Sequence, residues 1–402
     1  MEIALWIIVI LLGITLLLAL DFTIGRKKHL ATINKQIFPE RYSQLDIFTT
    51  GPDLFEDYFA ELKRAKKHIH VLFYIVKDDK ISKEFLSILM DKAKEGVEVR
   101  LLVDWVGGTI SRKSKQDLKT AGVEFVQSQT PKFPFLFYSS QVRNHRKVTV
   151  IDGELGYTGG YNIGKEYINL DKKLSPWRDY HLKVTGEGVQ DLQKEFLLDW
   201  QKAAKVNLLQ KSFYFPSSLE KGPIRQQFIP SEGNLLEGTL YDLINKAEKS
   251  IMIGTPYFIP SKKIFNQLLK AVDRGVSLTL LVPFTADHAL VKEASFTYLR
   301  QLLKRDGNVE IHQYKKGFYH AKVLVIDDNL CDLGTANFDK RSMFLNFELN
   351  CLIYNQEFIQ RVKTILYNDL MESEQVSLDD LNGFNPFRSL KERAAQTVSY
   401  FL

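Results

Sequence analysis

Cysteine is scarce in this chain, with only Cys331 and Cys351 among 402 residues. Two such residues build neither a disulfide framework nor a cysteine metal site, and they fit a reducing compartment. Of the eight histidines, His68, His70, His288 and His312 have no ligand-spaced partners, so no metal and no other cofactor is expected. Neither charge sign dominates: 54 basic against 48 acidic side chains leave a net charge of +6. That mild excess suits an anionic substrate or surface. It does not form the basic, aromatic-laced groove that a nucleic-acid binder needs, and no nucleic-acid partner is expected.

Charge is missing altogether from residues 3–20, IALWIIVILLGITLLLAL. At about 1.5 Å per residue this run reaches roughly 27 Å, close to the hydrocarbon thickness of a bilayer. Glu2 stands before it and DFTIGRKKH follows. The positive n-region and small-residue cleavage site of a signal peptide are both lacking, so the run reads as an uncleaved anchor. Arg26, Lys27 and Lys28 follow it, with Lys35 and Arg41 nearby. The positive-inside rule then predicts a single-pass protein of the cell membrane with its body in the cytoplasm.

What is present in excess is repetition. NHRKVTVIDGELGYTGGYN, residues 144–162, shares a polar frame with YHAKVLVIDDNLCDLGTAN, residues 319–337. In each copy His is followed by Lys at +2, Asp at +7, Gly at +14 and Asn at +17. The surrounding elements repeat too, since AKEGVEVRLLV lies over AVDRGVSLTLLV with Gly96 on Gly275. Strand-like and helix-like segments alternate, which predicts an α/β fold with largely parallel strands. The repeat predicts two pseudo-symmetric lobes of mixed sheets flanked by helices. The expected divisions are an anchor at 1–25, a basic linker at 26–45, lobes at 46–215 and 222–370, and an amphipathic tail at 371–402. In the tail, Phe387, Leu390, Ala394, Val398 and Phe401 share a helical face for docking on the core or lying on a membrane, with docking the favoured reading.

The frame reads as chemistry. On a strand, alternate side chains share a face, so His145 points with Lys147 and His320 with Lys322. Asp152 and Asp327 fall on the other parity at the strand end and are assigned to turn structure. Gly159 and Gly334 allow a tight turn or a close approach of backbone to ligand. Asn162 and Asn337 are neutral amide donors, assigned to phosphate oxygens. Two sets of His, Lys and Asn facing each other suit a phosphodiester: lysines and asparagines hold the oxygens, and the imidazoles do covalent and proton-transfer work. Asp179 in WRDYHLKV and Glu348 in LNFELNCLI, at +34 and +28 from their histidines, are candidates to orient them.

These motifs resemble the phospholipase D superfamily, whose signature is a duplicated H-x-K-x4-D. Within it, GGYNIGKEY, WRDYHLKVTGEGV, TPYFIPS and GTANFDKRSMFLNFELN are similar to bacterial cardiolipin synthases. The resemblance covers roughly residues 46–370. It implies that the two lobes pack around one shared active site, with a phosphohistidine intermediate and no metal. His145 would be the nucleophile, His320 the general acid, and Asp179 and Glu348 their braces. It implies phosphatidyl transfer between two phosphatidylglycerol molecules, giving cardiolipin and glycerol, with membrane phospholipids as partners. The same frame serves a hydrolase that releases phosphatidic acid. A lipid-binding protein without turnover is the other alternative.

Overall fold

The computed structural model describes residues 1–33, 36–382 and 386–402, so Lys35 of the expected basic linker lies outside them. Helix α1 spans Glu2–Thr32. It is long and apolar enough to cross a membrane, with a mean hydropathy of 3.0 over its best window and none of that window buried. No strong breaker stands between Asp21 and Thr32, so the helix runs on through the basic residues expected in a linker. Its last turns are fixed to the body. Asp21 Oδ1 accepts from Tyr138 N at 2.7 Å, and His29 Nδ1 lies 2.6 Å from the Tyr138 hydroxyl. Gly25 is buried there, and a Cβ on it would stand 2.9 Å from the Cβ atoms of Phe135 and Tyr138.

The body is organised by one continuous sixteen-stranded sheet among the described residues. The first half supplies β1 (Arg41–Thr50), β2 (His68–Phe73), β3 (Glu98–Asp104), β4 (Glu124–Ser128), β5 (Val148–Ile151), β6 (Leu155–Gly159) and β7 (Trp177–Gly186). They run in the order β4-β3-β2-β5-β6-β7-β1. The second half begins with β8 (Ile224–Glu232) and continues with β9 (Ser250–Gly254). From β8 the order is Phe347–Ile353, Leu330–Gly334, Val323–Ile326, β9, Ser277–Pro283, Val309–Tyr314. That is the first half's order run outward from the same centre. The halves meet where β1 pairs antiparallel with β8, Arg41–Ser43 against Ile224–Gln226. Arg41–Asp46 therefore belongs to the sheet, and not wholly to a linker before residue 46.

The long parallel pairs are those of the outer strands, β2 to β3 to β4 and their counterparts, and the short strand Phe318–Tyr319 adds a parallel pair with Trp177–Arg178 near the centre. The expectation of largely parallel strands fails at the motif. There Asp152 and Asp327 take positive φ angles of 56° and 51°, turning each motif strand back on itself as a hairpin. Elsewhere the repeat is faithful. Gly96 and Gly275, at φ 92° and 93°, end equivalent helices, Lys80–Lys94 and Lys262–Asp273, in the left-handed conformation that glycine adopts without penalty.

Two apolar clusters fill the separate halves. A third joins them, with Val148, Leu182 and Trp200 from the first half and Val323, Leu349 and Phe358 from the second. Cys331 and Cys351 are buried in it as free thiols. The tail helix Pro386–Val398 docks against Val291–Leu303, but through buried Ala395, Gln396 donating to Ala294 O and Glu392 accepting from Arg300. The apolar face expected to be buried stays open at Phe387, Leu390, Ala394 and Val398. Phe401 reaches Phe22 of α1, ring centroids 5.4 Å apart.

Candidate active site

Each motif tripeptide, His145–Lys147 and His320–Lys322, lies just ahead of its strand and is stitched to the opposite half. His145 N donates to Phe347 O at 2.9 Å, and His320 N donates to Arg178 O at 2.7 Å. The residue after each acceptor is a carboxylate. So the same backbone bridge, made twice, delivers Glu348 to His145 and Asp179 to His320. His145 Nδ1 lies 2.9 Å from Glu348 Oε2, and His320 Nδ1 lies 2.5 Å from Asp179 Oδ2. The braces are crossed: neither histidine uses the carboxylate that follows it in its own half. Spacing along the chain pairs them the other way.

Glu348 is held by four side chains. Thr335 Oγ1 donates to Oε2 at 2.6 Å, while Ser342 Oγ and Asn346 Nδ2 donate to Oε1 at 2.8 and 3.2 Å. His145 is the fourth. Asp179 has less support: its Oδ1 accepts from Tyr180 N at 2.8 Å, and Lys322 Nζ stands 3.5 Å from its Oδ2. Lys147 Nζ donates to the His145 carbonyl at 2.8 Å, and both side chains sit against the Tyr74 ring. Lys322 Nζ is 3.2 Å from His320 Nε2. Trp177, Phe318 and Tyr257 surround the His320 ring.

Burial sets the charges. It pulls His145 down to about 4 and His320 down to about 4, and the nearby ammonium groups add to the effect. Burial also lowers Lys147 to about 7. For the carboxylates burial works against ionisation, but cationic partners overcome it. Glu348, beside His145 and Lys147, and Asp179, beside Lys322 and His320, end below the usual carboxylate range. The resting site therefore has ionised carboxylates and neutral imidazoles. An ionised carboxylate only accepts, so each imidazole carries its proton on Nδ1. That leaves the Nε2 lone pair free on His145, whereas His320 Nε2 has Lys322 Nζ at 3.2 Å.

The other motif residues take varied places. Asp152 accepts from the backbone N–H groups of Lys66, Lys67 and His68, and Asp327 from Glu248, Lys249 and Ser250. Gly159, at φ 153°, and Gly334 both back onto the brace strands, Gly159 opposite His181 and Gly334 opposite Asn350. Asn162 is already engaged: Oδ1 accepts from Ile75 N, and Nδ2 donates to the Tyr167 hydroxyl at 3.1 Å. One of its amide protons remains for a ligand. Asn337 lines a small cavity with Lys322, and its buried Oδ1 has no partner among the described residues. Arg178 is bound to Asp369, and Arg341 donates to two backbone carbonyls. His181 is buried and pulled down to about 3, mainly by burial.

Residues 58–200 and 240–370 match the family described as cardiolipin synthase, phospholipase D-like domain. The chain belongs to this family. It is 38% identical to the minor cardiolipin synthase ClsB of Bacillus subtilis (strain 168), over all of both chains. It is 37% identical to the cardiolipin synthase of Geobacillus kaustophilus (strain HTA426), over 90% of this chain and 72% of that one. In fold it is similar to the phosphatidylserine synthase of Haemophilus influenzae Rd KW20, with a TM-score of 0.73 at 16% identity over 94% of this chain and 100% of that one.

Sequence reasoning missed Thr335, Ser342 and Asn346, the ring of donors on Glu348. A signal existed: Thr335 occupies, in its motif, the place that Gly160 holds in the other. The difference is steric. A Cβ on Gly160 would lie 1.9 Å from Asp179 Oδ1, so only glycine leaves room for the shorter brace. Gly160→Ala should displace Asp179 from His320 and lower turnover about 10²-fold. The unfolding midpoint, measured alongside the rate, should fall far less than in a global collapse.

Arg146 was also missed. It is fully buried behind His145, bound to Asp199, Glu195 and the Glu348 carbonyl. Its guanidinium occupies the acidic group formed by Glu195, Asp199 and Glu232, which has metal-ligand spacing.

Proposed function

We propose that this enzyme transfers a phosphatidyl group from one phosphatidylglycerol to the hydroxyl of a second, giving cardiolipin and glycerol. The crossed pair of braced imidazoles, each with Nε2 as its unprotonated nitrogen, is the observation that carries the mechanism. His145 Nε2 attacks phosphorus, the bond to the glycerol oxygen breaks, and a proton from His320 goes to that oxygen. His320 then takes the proton of the acceptor hydroxyl, whose oxygen attacks phosphorus and releases His145. Two displacements give net retention at phosphorus.

The acid has to be charged when glycerol leaves, although the resting imidazole is neutral. The anionic phosphodiester supplies the bias, because a nearby negative charge favours the protonated ring. Lys322, 3.2 Å from His320 Nε2, stands as a proton source beside it. Lys147 offsets the charge that develops on the phosphoryl oxygens.

The enzyme is a membrane protein with its apolar helix in the bilayer, and we place the body on the cytoplasmic side as a single-pass protein. Incubating the full-length chain with phosphatidylglycerol liposomes and resolving the lipids tests the reaction. Cardiolipin with equimolar glycerol is expected. Phosphatidic acid as the main product would make it a hydrolase, and unchanged lipid would remove catalysis.

Lys147 carries a pH signature. Its ammonium, at about 7, is charged below that pH and lost above it. Phosphate binding should weaken as pH rises, adding a downward step to log kcat/KM above about pH 7. Lys147→Arg, charged throughout, should lack that step even if its rate is lower at every pH. A wild-type profile with no break near neutrality would refute the assignment.

A further inference from the structure

A cavity of about 530 Å³ lies between the end of α1 and the body, and no catalytic group lines it. Its walls are the last turns of α1 from Gly25 to Thr32, the loop carrying Phe133 and Phe135, and the helix face with Leu198 and Lys202. Phe347 and Arg146 contribute to the lining on the side of His145. The cavity thus adjoins the Glu348 hairpin from behind, separate from the open side of the imidazoles.

Its chemistry is two-sided. Phe133, Phe135, Leu198 and Phe347 are apolar, and Phe133 is 88% exposed. Lys28, Lys132, Lys202 and Lys205 also line it. Lys202 pairs with Glu232, and Arg146 is fully engaged with its own acids. Among the described residues no carboxylate pairs with Lys28, Lys132 or Lys205. Burial, with the ammonium groups of Lys205 and Lys202 close by, holds Lys132 below its ordinary value. Like charges gathered in a partly buried cavity are unfavourable until an anion joins them.

Position identifies the anion's source. The cavity opens where α1 passes from its apolar run to Lys28, the level of lipid headgroups. A separate recess lies farther along α1 on the side of its apolar run, lined by Leu18, Ala19, Phe22, Phe137 and Phe401. An acyl chain fits that apolar path, and a headgroup phosphate fits the lysines.

We infer that this cavity is a second phospholipid site, distinct from the catalytic cleft, that holds one anionic phospholipid of the bilayer between anchor and body. The phosphate lies among Lys28, Lys132 and Lys205, and the acyl chains run along α1. Occupancy needs no turnover.

Native mass spectrometry of the full-length chain in non-ionic detergent tests it, with dioleoyl phosphatidic acid, dioleoyl phosphatidylcholine and inorganic phosphate as probes. Two variants are compared with wild type: the triple Lys28→Ala, Lys132→Ala, Lys205→Ala, and Leu198→Trp, which fills the cavity and spares the lysines. Wild type should retain one more phosphatidic acid than either variant, with at least about tenfold tighter binding. Phosphatidylcholine should not fill that site. Equal retention in all three proteins would overturn the inference, as would equal binding of phosphatidylcholine. Displacement of the lipid by millimolar phosphate would also overturn it, marking a free-phosphate site. Cardiolipin formation is read separately: wild type that retains the lipid but makes no cardiolipin sinks the proposed reaction and leaves the site standing.

Discussion

His145→Ala and His320→Ala should each abolish cardiolipin formation, lowering the rate by about 10⁴-fold or more, and the double variant should be no worse than either. The two losses differ in kind. His145 is proposed to form the bond to phosphorus, and His320 to protonate a poor leaving group. A donor whose leaving group needs no proton separates them. With a phosphatidyl p-nitrophenyl ester, His320→Ala should still release about one equivalent of p-nitrophenolate per site in a burst. It should then stall with the lipid on His145, because no base remains to activate the acceptor. His145→Ala should show no burst. The reverse pattern would exchange the roles while keeping the site, and a burst from both variants would remove the covalent intermediate. What supports His320 as the acid is Lys322, whose Nζ lies against the ring, 2.5 Å from Nδ1 and 3.2 Å from Nε2. Lys147 instead reaches only the His145 carbonyl.

The motif was legible in the sequence because it is local and doubled. Packing can keep Val148 and Val323, Val150 and Val325, or Ile151 and Ile326 alike, but it does not call for His, Lys, Asp, Gly and Asn at fixed offsets as well. The helices and strands around it were legible for the usual reason, since their apolar periods survive in both copies. The sheet's direction at the motif was not. It depends on single turns such as Asp152-Gly153, where two successive positive φ angles, 56° and 74°, convert an expected parallel strand into a hairpin.

The partners of the histidines were harder still. Asp179 and Glu348 stood out as acids on strand-like segments, but which ring each serves is settled by backbone bridges across the two halves. His145 to Phe347 spans 202 residues and His320 to Arg178 spans 142. No pattern within either half encodes such a crossing. The docking of α1 escaped for a similar reason. Gly25, Asp21 and His29 are unremarkable in a sequence, and they gain meaning only once Tyr138 and Phe347 lie against them.

The crossing carries the second large prediction. A neutral amide in place of a brace cannot hold the Nδ1–H tautomer or stabilise the imidazolium, and the loss of such a brace costs about 10²- to 10⁴-fold. Glu348→Gln should therefore behave as a partial loss of His145: slow bond formation to phosphorus and a slow burst with the p-nitrophenyl donor. Asp179→Asn should behave as a partial loss of His320, failing with phosphatidylglycerol while its burst stays close to wild type. Braces acting within their own halves would give the opposite outcome, since Asp179→Asn would then silence the burst. Glu348→Gln should also be the milder of the two lesions in overall turnover. The Thr335 and Ser342 hydroxyls can turn to accept from the new amide N–H while its oxygen still accepts from His145, whereas Asp179 stands close to Lys322 with one backbone donor on its other oxygen. Losing its charge leaves that buried ammonium short of its counterion. A Thr335→Val, Ser342→Ala background should remove the advantage and bring Glu348→Gln down to the level of Asp179→Asn.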